Sequence, residues 1–258
     1  MDLARWAAEL GIDPVSAVVK AAGAESPLAE IDPGKALYPA SMIKTPLAAA
    51  AYHLIHQRAL GLDDAATVDE SNMTANDARS PLVPGYRARI GELIELMIAR
   101  SDNVATNVLF DVLGRERATR IVQRELGLRH TAFYRKLSGD VPLIDDPGWD
   151  GVHRNTHPAA DAAVLFERIA LATIPGAQEL RAILLRQEWN EKLPRGLRAG
   201  DRFAHKTGDT DEVTHDGGIL YTGQGGAYVA VVYAGMPSTA ENNAKFGPFM
   251  QRIRSALL

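Results

Sequence analysis

The chain contains no cysteine. Disulfide bridges, thiol nucleophiles and cysteine-ligated metals are therefore excluded, while the compartment is left open. Nor is there an excess of positive charge: 28 basic against 32 acidic side chains leave a formal net charge of −4. That balance gives no electrostatic footprint for nucleic acid or anionic lipid. No apolar run approaches the roughly 20 residues that a membrane-spanning helix needs, so neither nucleic acid nor membrane is expected as a partner. The N-terminal stretch Met1-Asp2-Leu3-Ala4-Arg5-Trp6 lacks the basic-then-apolar pattern of a secretion signal. Localisation stays undetermined: periplasmic or secreted if a leader has been removed, otherwise cytoplasmic.

What is present suits a globular protein with ample core. The 258 residues are 46% hydrophobic and 23% charged, enough for one large domain or two closely joined ones. Leu3, Trp6, Ala7 and Leu10 recur at helical spacing before Gly11. Val15 to Lys20 reads as a strand, and Pro27 to Ile31 as a weaker one. An alanine-rich helix runs from Thr45 to Leu60, apolar all round and so buried. Residues 61–90 read as loops with short helical pieces. A helical pattern from Ile90 to Leu113 is interrupted at Ser101-Asp102-Asn103, and a further helix covers Arg115 to Leu126. Residues 134–158 are long and irregular, which in a compact domain usually marks a functional loop. Helices return at Pro158–Ala172 and Ala177–Leu185. Phe203–Thr207, Gly218–Thr222 and Ala227–Ala234 then read as strands, with a hairpin at Gly223-Gln224-Gly225-Gly226, and an amphipathic helix closes the chain. The short N-terminal strands need partners, so both chain ends are expected to share one sheet.

The chemistry centres on Pro39-Ala40-Ser41-Met42-Ile43-Lys44. Residues three apart on a helix share a face, which lets the Lys44 amine approach the Ser41 hydroxyl. A serine is a poor nucleophile until something takes its proton, and a helix N-terminus offers unpaired N–H groups to a developing oxyanion. Taken alone, Ser-x-x-Lys is also what a capping serine and a surface lysine give. Two further motifs follow, however: Ser101-Asp102-Asn103, 60 residues on, and Lys206-Thr207-Gly208, another 105 residues on.

This ordered set, with these spacings, resembles the class A β-lactamase family of serine hydrolases and penicillin-binding proteins over nearly the whole chain. The resemblance implies an α/β (α+β) fold, with an antiparallel sheet flanked by helices and joined to an all-helical subdomain. Residues 1–45 and 196–258 would form the sheet part and 46–195 the helical part, with the site in the seam. It implies catalytic roles for Ser41, Lys44, Ser101 and Lys206, with Asn103, Thr207, Gly208 and Asp209 binding substrate. Ser41 would be acylated, and Lys44 or a bound water would take its proton. Burial and the charge of Lys206 both push the Lys44 pKa down. Ser101 would relay a proton to the leaving nitrogen, Asp102 would be structural, and the N–H groups of Ser41 and Asp209 would form the oxyanion hole. The implied activity is hydrolysis of a β-lactam amide. The alternative is a D,D-peptidase, transpeptidase or esterase of the same fold, or a slowly deacylating penicillin-binding protein. Partners would be a small β-lactam or a cell-wall peptide, with no cofactor or metal, and the chain is expected to be a monomer.

Two departures from the family stand out. Class A enzymes clear the acyl-enzyme with a loop glutamate, but residues 134–150 contain none, and Leu137 falls near its place. Asp140, Asp145, Asp146 and Asp150 are substitute bases or simply turn caps. Asp209 directly follows the third motif. Its carboxylate either repels a substrate carboxylate and selects an uncharged or cationic group, or points to solvent with only its N–H facing the site. His215 is a further candidate to border the cleft.

Overall fold

The computed structural model describes residues 1–139 and 143–257. Helix α1 (Leu3–Leu10) starts where Asp2 Oδ1 accepts the Arg5 N–H, and it stops at Gly11, in the left-handed conformation at φ 65. Strands β1 (Val15–Ala21) and β2 (Ala29–Ile31) follow, and a 3-10 turn, Ala40–Ile43, runs directly into α2 (Lys44–His56). Next come β3 (Ala65–Thr67), β4 (Arg87–Arg89), α3 (Ile90–Ala99), α4 (Asn103–Leu113), α5 (Arg115–Arg124), α6 (Ala159–Ala170) and α7 (Ala177–Leu184). The chain ends with β5 (Arg202–Asp209), β6 (Thr214–Tyr221), β7 (Ala227–Ala234), α8 (Ala240–Ala244) and α9 (Phe246–Ala256).

Five strands form one antiparallel sheet in the order β2-β1-β7-β6-β5. The two chain ends thus meet in one sheet, and β5 is left as an edge. Strand β7 explains the layering. Its side chains alternate between faces, so Val229, Val231 and Tyr233 join the large core with α2, α4 and α6. Ala230, Val232 and Ala234 face a second core with α1 and α9. A strand covered on both faces reads as a continuous apolar run, as β7 does.

Helix α2 is the hub of the larger core. Leu47, Ala48, Ala50 and Ala51 are wholly buried, and the short alanines let neighbouring helices approach closely. Burial on all sides of α2 also takes its first residue, Lys44, out of solvent.

The sequence reading differs in three places. Residues 61–90 contain β3 and β4, a two-stranded ribbon with Ala66 opposite Ala88; three residues per strand are too few to show alternation. Strand β6 begins at Thr214 rather than Gly218, because Thr214, His215 and Asp216 are polar yet fully buried. The closing helix is two helices, α8 and α9, separated at Lys245.

Candidate active site

Ser41 is half-buried in the 3-10 turn at the head of α2. The residue before it, Ala40, has φ 47, a left-handed conformation that costs a non-glycine residue of order 1–3 kcal/mol. Ser101 is held at φ 60, so two of the left-handed non-glycine residues lie at the first two motifs. Such strain persists only where surrounding structure enforces it. Edge strand β5 runs past the same turn. A Cβ on Gly208 would lie 2.9 Å from Pro39 O and 3.2 Å from Met42 N. The glycine is therefore needed for the close contact with the Ser41 turn. Gly208→Ala is expected to push β5 from that turn, destabilising the fold by about 1–3 kcal/mol and slowing labelling of Ser41. Thermal melts alongside labelling rates check this; unchanged values in both would contradict the packing described.

The second and third motifs meet at one oxygen. Lys44 Nζ lies 3.2 Å from Ser101 Oγ, and Lys206 Nζ lies 3.0 Å from the same atom. Lys44 also donates to Ser101 O at 2.6 Å and Asn103 Oδ1 at 2.7 Å, while Lys206 donates to Thr207 O at 3.0 Å. Both lysines are wholly buried. Burial, then the neighbouring Lys206 charge, holds the Lys44 pKa well below the ordinary lysine value. Burial likewise lowers Lys206, to about 7, against partial support from the Asp209 carboxylate. Lys44 thus donates to Ser101 O, Ser101 Oγ and Asn103 Oδ1, and the burial that lowers its pKa favours loss of its proton. Among the described residues no hydrogen bond joins Ser41 Oγ to Lys44. The expected approach of the two is thus not closed by a hydrogen bond.

Asn103 is clasped from the other side. Its Nδ2 donates to Ala75 O at 2.9 Å, and its N–H donates to Asn76 Oδ1. Asp102 caps α4 by accepting the Ala105 N–H at 2.9 Å and is buried, which fits a structural role. Asn107, one turn on from Asn103, ties in the long loop: its Oδ1 accepts Leu137 N–H at 2.8 Å and its Nδ2 donates to Leu137 O at 3.0 Å. Gly139 then passes so close to Ala75 that a Cβ would fall 2.1 Å from Ala75 O. Loop residues 137–139 therefore lie against the segment that holds Asn103.

The β-lactamase enzyme family model matches residues 3–257. The chain belongs to that family. Among curated proteins none matches it. Among solved structures it is similar to a β-lactamase from Sphaerobacter thermophilus DSM 20745, at 22% identity and TM-score 0.86, over 98% of this chain and 96% of that one. It is similar too to PBP-A, at 23% identity and TM-score 0.83, over 99% and 96% of the two chains. A PBP-A mutant solved as an acyl-enzyme with penicillin G matches at 23% identity and TM-score 0.85, over 99% of this chain and 95% of that one.

Within this β-lactamase family chain, several residues stand differently from their reading in sequence. Asp209 points neither to solvent nor freely into the cleft. Its carboxylate pairs with Lys192, a wholly buried lysine, and accepts from Thr214 and Ser238 hydroxyls. Although burial alone would raise it, the Lys192 charge and these bonds leave its pKa below the usual carboxylate value. His215 does not border the cleft. It is fully buried, its Nε2 donates to Tyr38 O at 2.8 Å, and its Nδ1 accepts Ala234 N–H at 3.1 Å. Burial lowers its pKa to about 4, so it stays neutral and braces the residue three before Ser41.

The loop carboxylates divide similarly. Asp146 pairs with Arg115 and accepts Lys136 N–H, while Asp150 accepts Val152 and His153 N–H groups; both are fasteners of the loop. Asp145 is exposed and makes no hydrogen bond among the described residues. Asp140 lies outside the described residues. Sequence reasoning missed Lys192, Asn107 and Asp77. Asn107 alone carried a signal, as an amide interrupting the apolar run from Val104 to Phe110. Among the described residues no cluster of three or more His, Asp or Glu side chains could hold a metal ion.

Proposed function

We propose that this chain is a serine acyl hydrolase of the β-lactamase family, acylated at Ser41 by a β-lactam amide and slow to release the acyl group. The observation that carries the reading is Ser101 Oγ set between two buried lysine amines, one of them with its pKa held well below the ordinary lysine value. Ser41 Oγ attacks the carbonyl carbon, and its proton passes to Lys44 Nζ. The C–N bond then breaks as Ser101 gives its proton to the leaving nitrogen, and Ser101 is reprotonated from Lys44. Lys206, as a cation, makes the Ser101 hydroxyl a better acid. Strand β5, packed against the Ser41 turn, supports the oxyanion role of the Ser41 and Asp209 N–H groups.

Slow release follows from the loop. Water must be deprotonated to attack the ester, and residues 134–150 offer no glutamate. Two of the loop aspartates are engaged in holding the loop itself, and Leu137 is pinned by Asn107 at the place expected for the base. These features favour the second reading, a D,D-peptidase, transpeptidase or esterase for which β-lactams are slow substrates. The likeness to PBP-A, whose mutant was trapped with penicillin G, supports it as well. Intact-protein mass after mixing with penicillin G decides the matter. A persistent adduct, absent in Ser41→Ala, is the expected result; rapid turnover with no adduct would mean that a base for deacylation is present after all.

A further inference from the structure

The end of the cleft beside Thr207 already holds an anion. Asp209 lies two residues beyond Thr207 on the same face of β5, and its side chain keeps 26% of its surface exposed. Its partner Lys192 is wholly buried, also donates to His215 O at 2.9 Å, and lies 5.8 Å from the Phe246 ring centroid. Lys192 cannot turn outward, so its charge is matched from within. Lys206 is buried too, and its bonds run to Ser101 and Thr207. Neither lysine presents an uncommitted cation to a ligand at this end.

The rims add negative charge. Asp77, exposed, directly follows Asn76, which holds the Asn103 N–H. Among the described residues it makes no hydrogen bond or ion pair, and its field reaches both Lys44 and Lys206. Past the end of β5, Asp211 and Glu212 are exposed. The cation on this side, Arg154, is shared with Glu212 at 3.4 Å while its guanidinium lies 4.2 Å over the Tyr38 ring.

The geometry points to Asp209 as a specificity-determining residue: with the field of Asp77 added, it makes the cleft select acyl donors whose group at this end is an uncharged ester or amide, against those with a free carboxylate. A carboxylate brought beside Asp209 meets a like charge that Lys192 only partly offsets, whereas an ester carbonyl does not. This rests on the reading of Ser41 as the acylated nucleophile.

Three probes separate the two claims. A fluorophosphonate carries no carboxylate and reads the nucleophile alone. Penicillin G and its methyl ester share one scaffold and differ in that single charge. Ser41 acylation by each is followed by intact mass, and the acid-to-ester rate ratio is corrected by their hydroxide hydrolysis rates. The ratio is expected to lie at about one to ten or lower in the unmodified chain. It should rise about tenfold in Asp209→Asn, where Lys192 is left to attract the acid. A rise of a few-fold is expected in Asp77→Asn, an exposed site whose substitution does not threaten folding, and in the paired change Lys192→Met with Asp209→Asn. A ratio at or above one in the unmodified chain, or one that moves in none of these variants, overturns the inference. Absence of fluorophosphonate at Ser41 instead removes the acylation reading, and the inference with it.

Discussion

Acylation of the Lys44→Met variant is expected to be about 10²- to 10⁴-fold slower than that of the unmodified chain, the range a positioned general base supplies. The side chain fits: methionine fills much of the lysine volume, and the site is already dry. Two acceptors, Ser101 O and Asn103 Oδ1, lose a donor, and each unpaired acceptor costs about 1–3 kcal/mol. Against this stands relief from burying an amine. The effects on rate and on stability overlap in size, and a melt run beside the labelling assay separates them. A second readout is the pH dependence of stability. Lys44 binds its proton more weakly folded than unfolded, so its contribution makes stability rise with pH up to the ordinary value of 10.5. Below the folded pKa its full penalty is present. Lys44→Met should flatten that rise by about 1.4 kcal/mol per pH unit, leaving the share of Lys206, which begins near 7. An acylation rate within tenfold of the original would remove Lys44 from the mechanism.

Leu137→Glu is expected to shorten the life of the acyl-enzyme by about 10²-fold, converting a persistent adduct into turnover. The backbone at this position is held at both its N–H and its C=O by Asn107, so a new side chain starts from a fixed frame. Leu137 is itself almost fully buried in the main core, and a carboxyl placed there has its pKa raised by desolvation. That is the condition under which a carboxylate becomes a useful base near neutral pH. Leu137→Gln has the same shape and no basicity, and should leave the lifetime unchanged. Equal lifetimes for the two variants would show that the loop is not where water is activated.

Much of the fold was legible because its signals are local. Helix α1 with its stop at Gly11, the apolar strand β7 and the all-apolar α2 follow directly from pattern and composition, and the three motifs fall on one oxygen. What escaped depends on contacts between distant segments. Strand β6 carries His215 and Asp216 in its first half, and those residues look like a loop until Tyr38 O and His205 are seen to pair with them. Lys192 stands in a stretch without periodicity, and nothing in it announces a buried cation waiting for Asp209 17 residues later. Asp209 was read with two alternatives, solvent or substrate, because its third option required that lysine. Gly208 was read from its motif as a substrate-binding position, and the sequence does not show what its backbone packs against. The Pro39–Met42 turn becomes its neighbour only once β5 is the sheet edge.

Acylation rests on a division of labour around Ser101: Lys44, its pKa held well below the ordinary lysine value, takes a proton, and Lys206 acts as the cation below about 7. The most direct test is the single-turnover rate of Ser41 acylation against pH, using a β-lactam methyl ester, which has no titrating carboxylate. With the Lys44 pKa held well below the ordinary lysine value, the fall in rate above neutrality is set by the proton on Lys206. It should be highest below about 7 and fall above it, as Lys206 loses its charge and Ser101 becomes a poorer acid. A rate that instead climbs steadily from pH 7 to 10, as a base with the ordinary lysine value of 10.5 would give, contradicts the account.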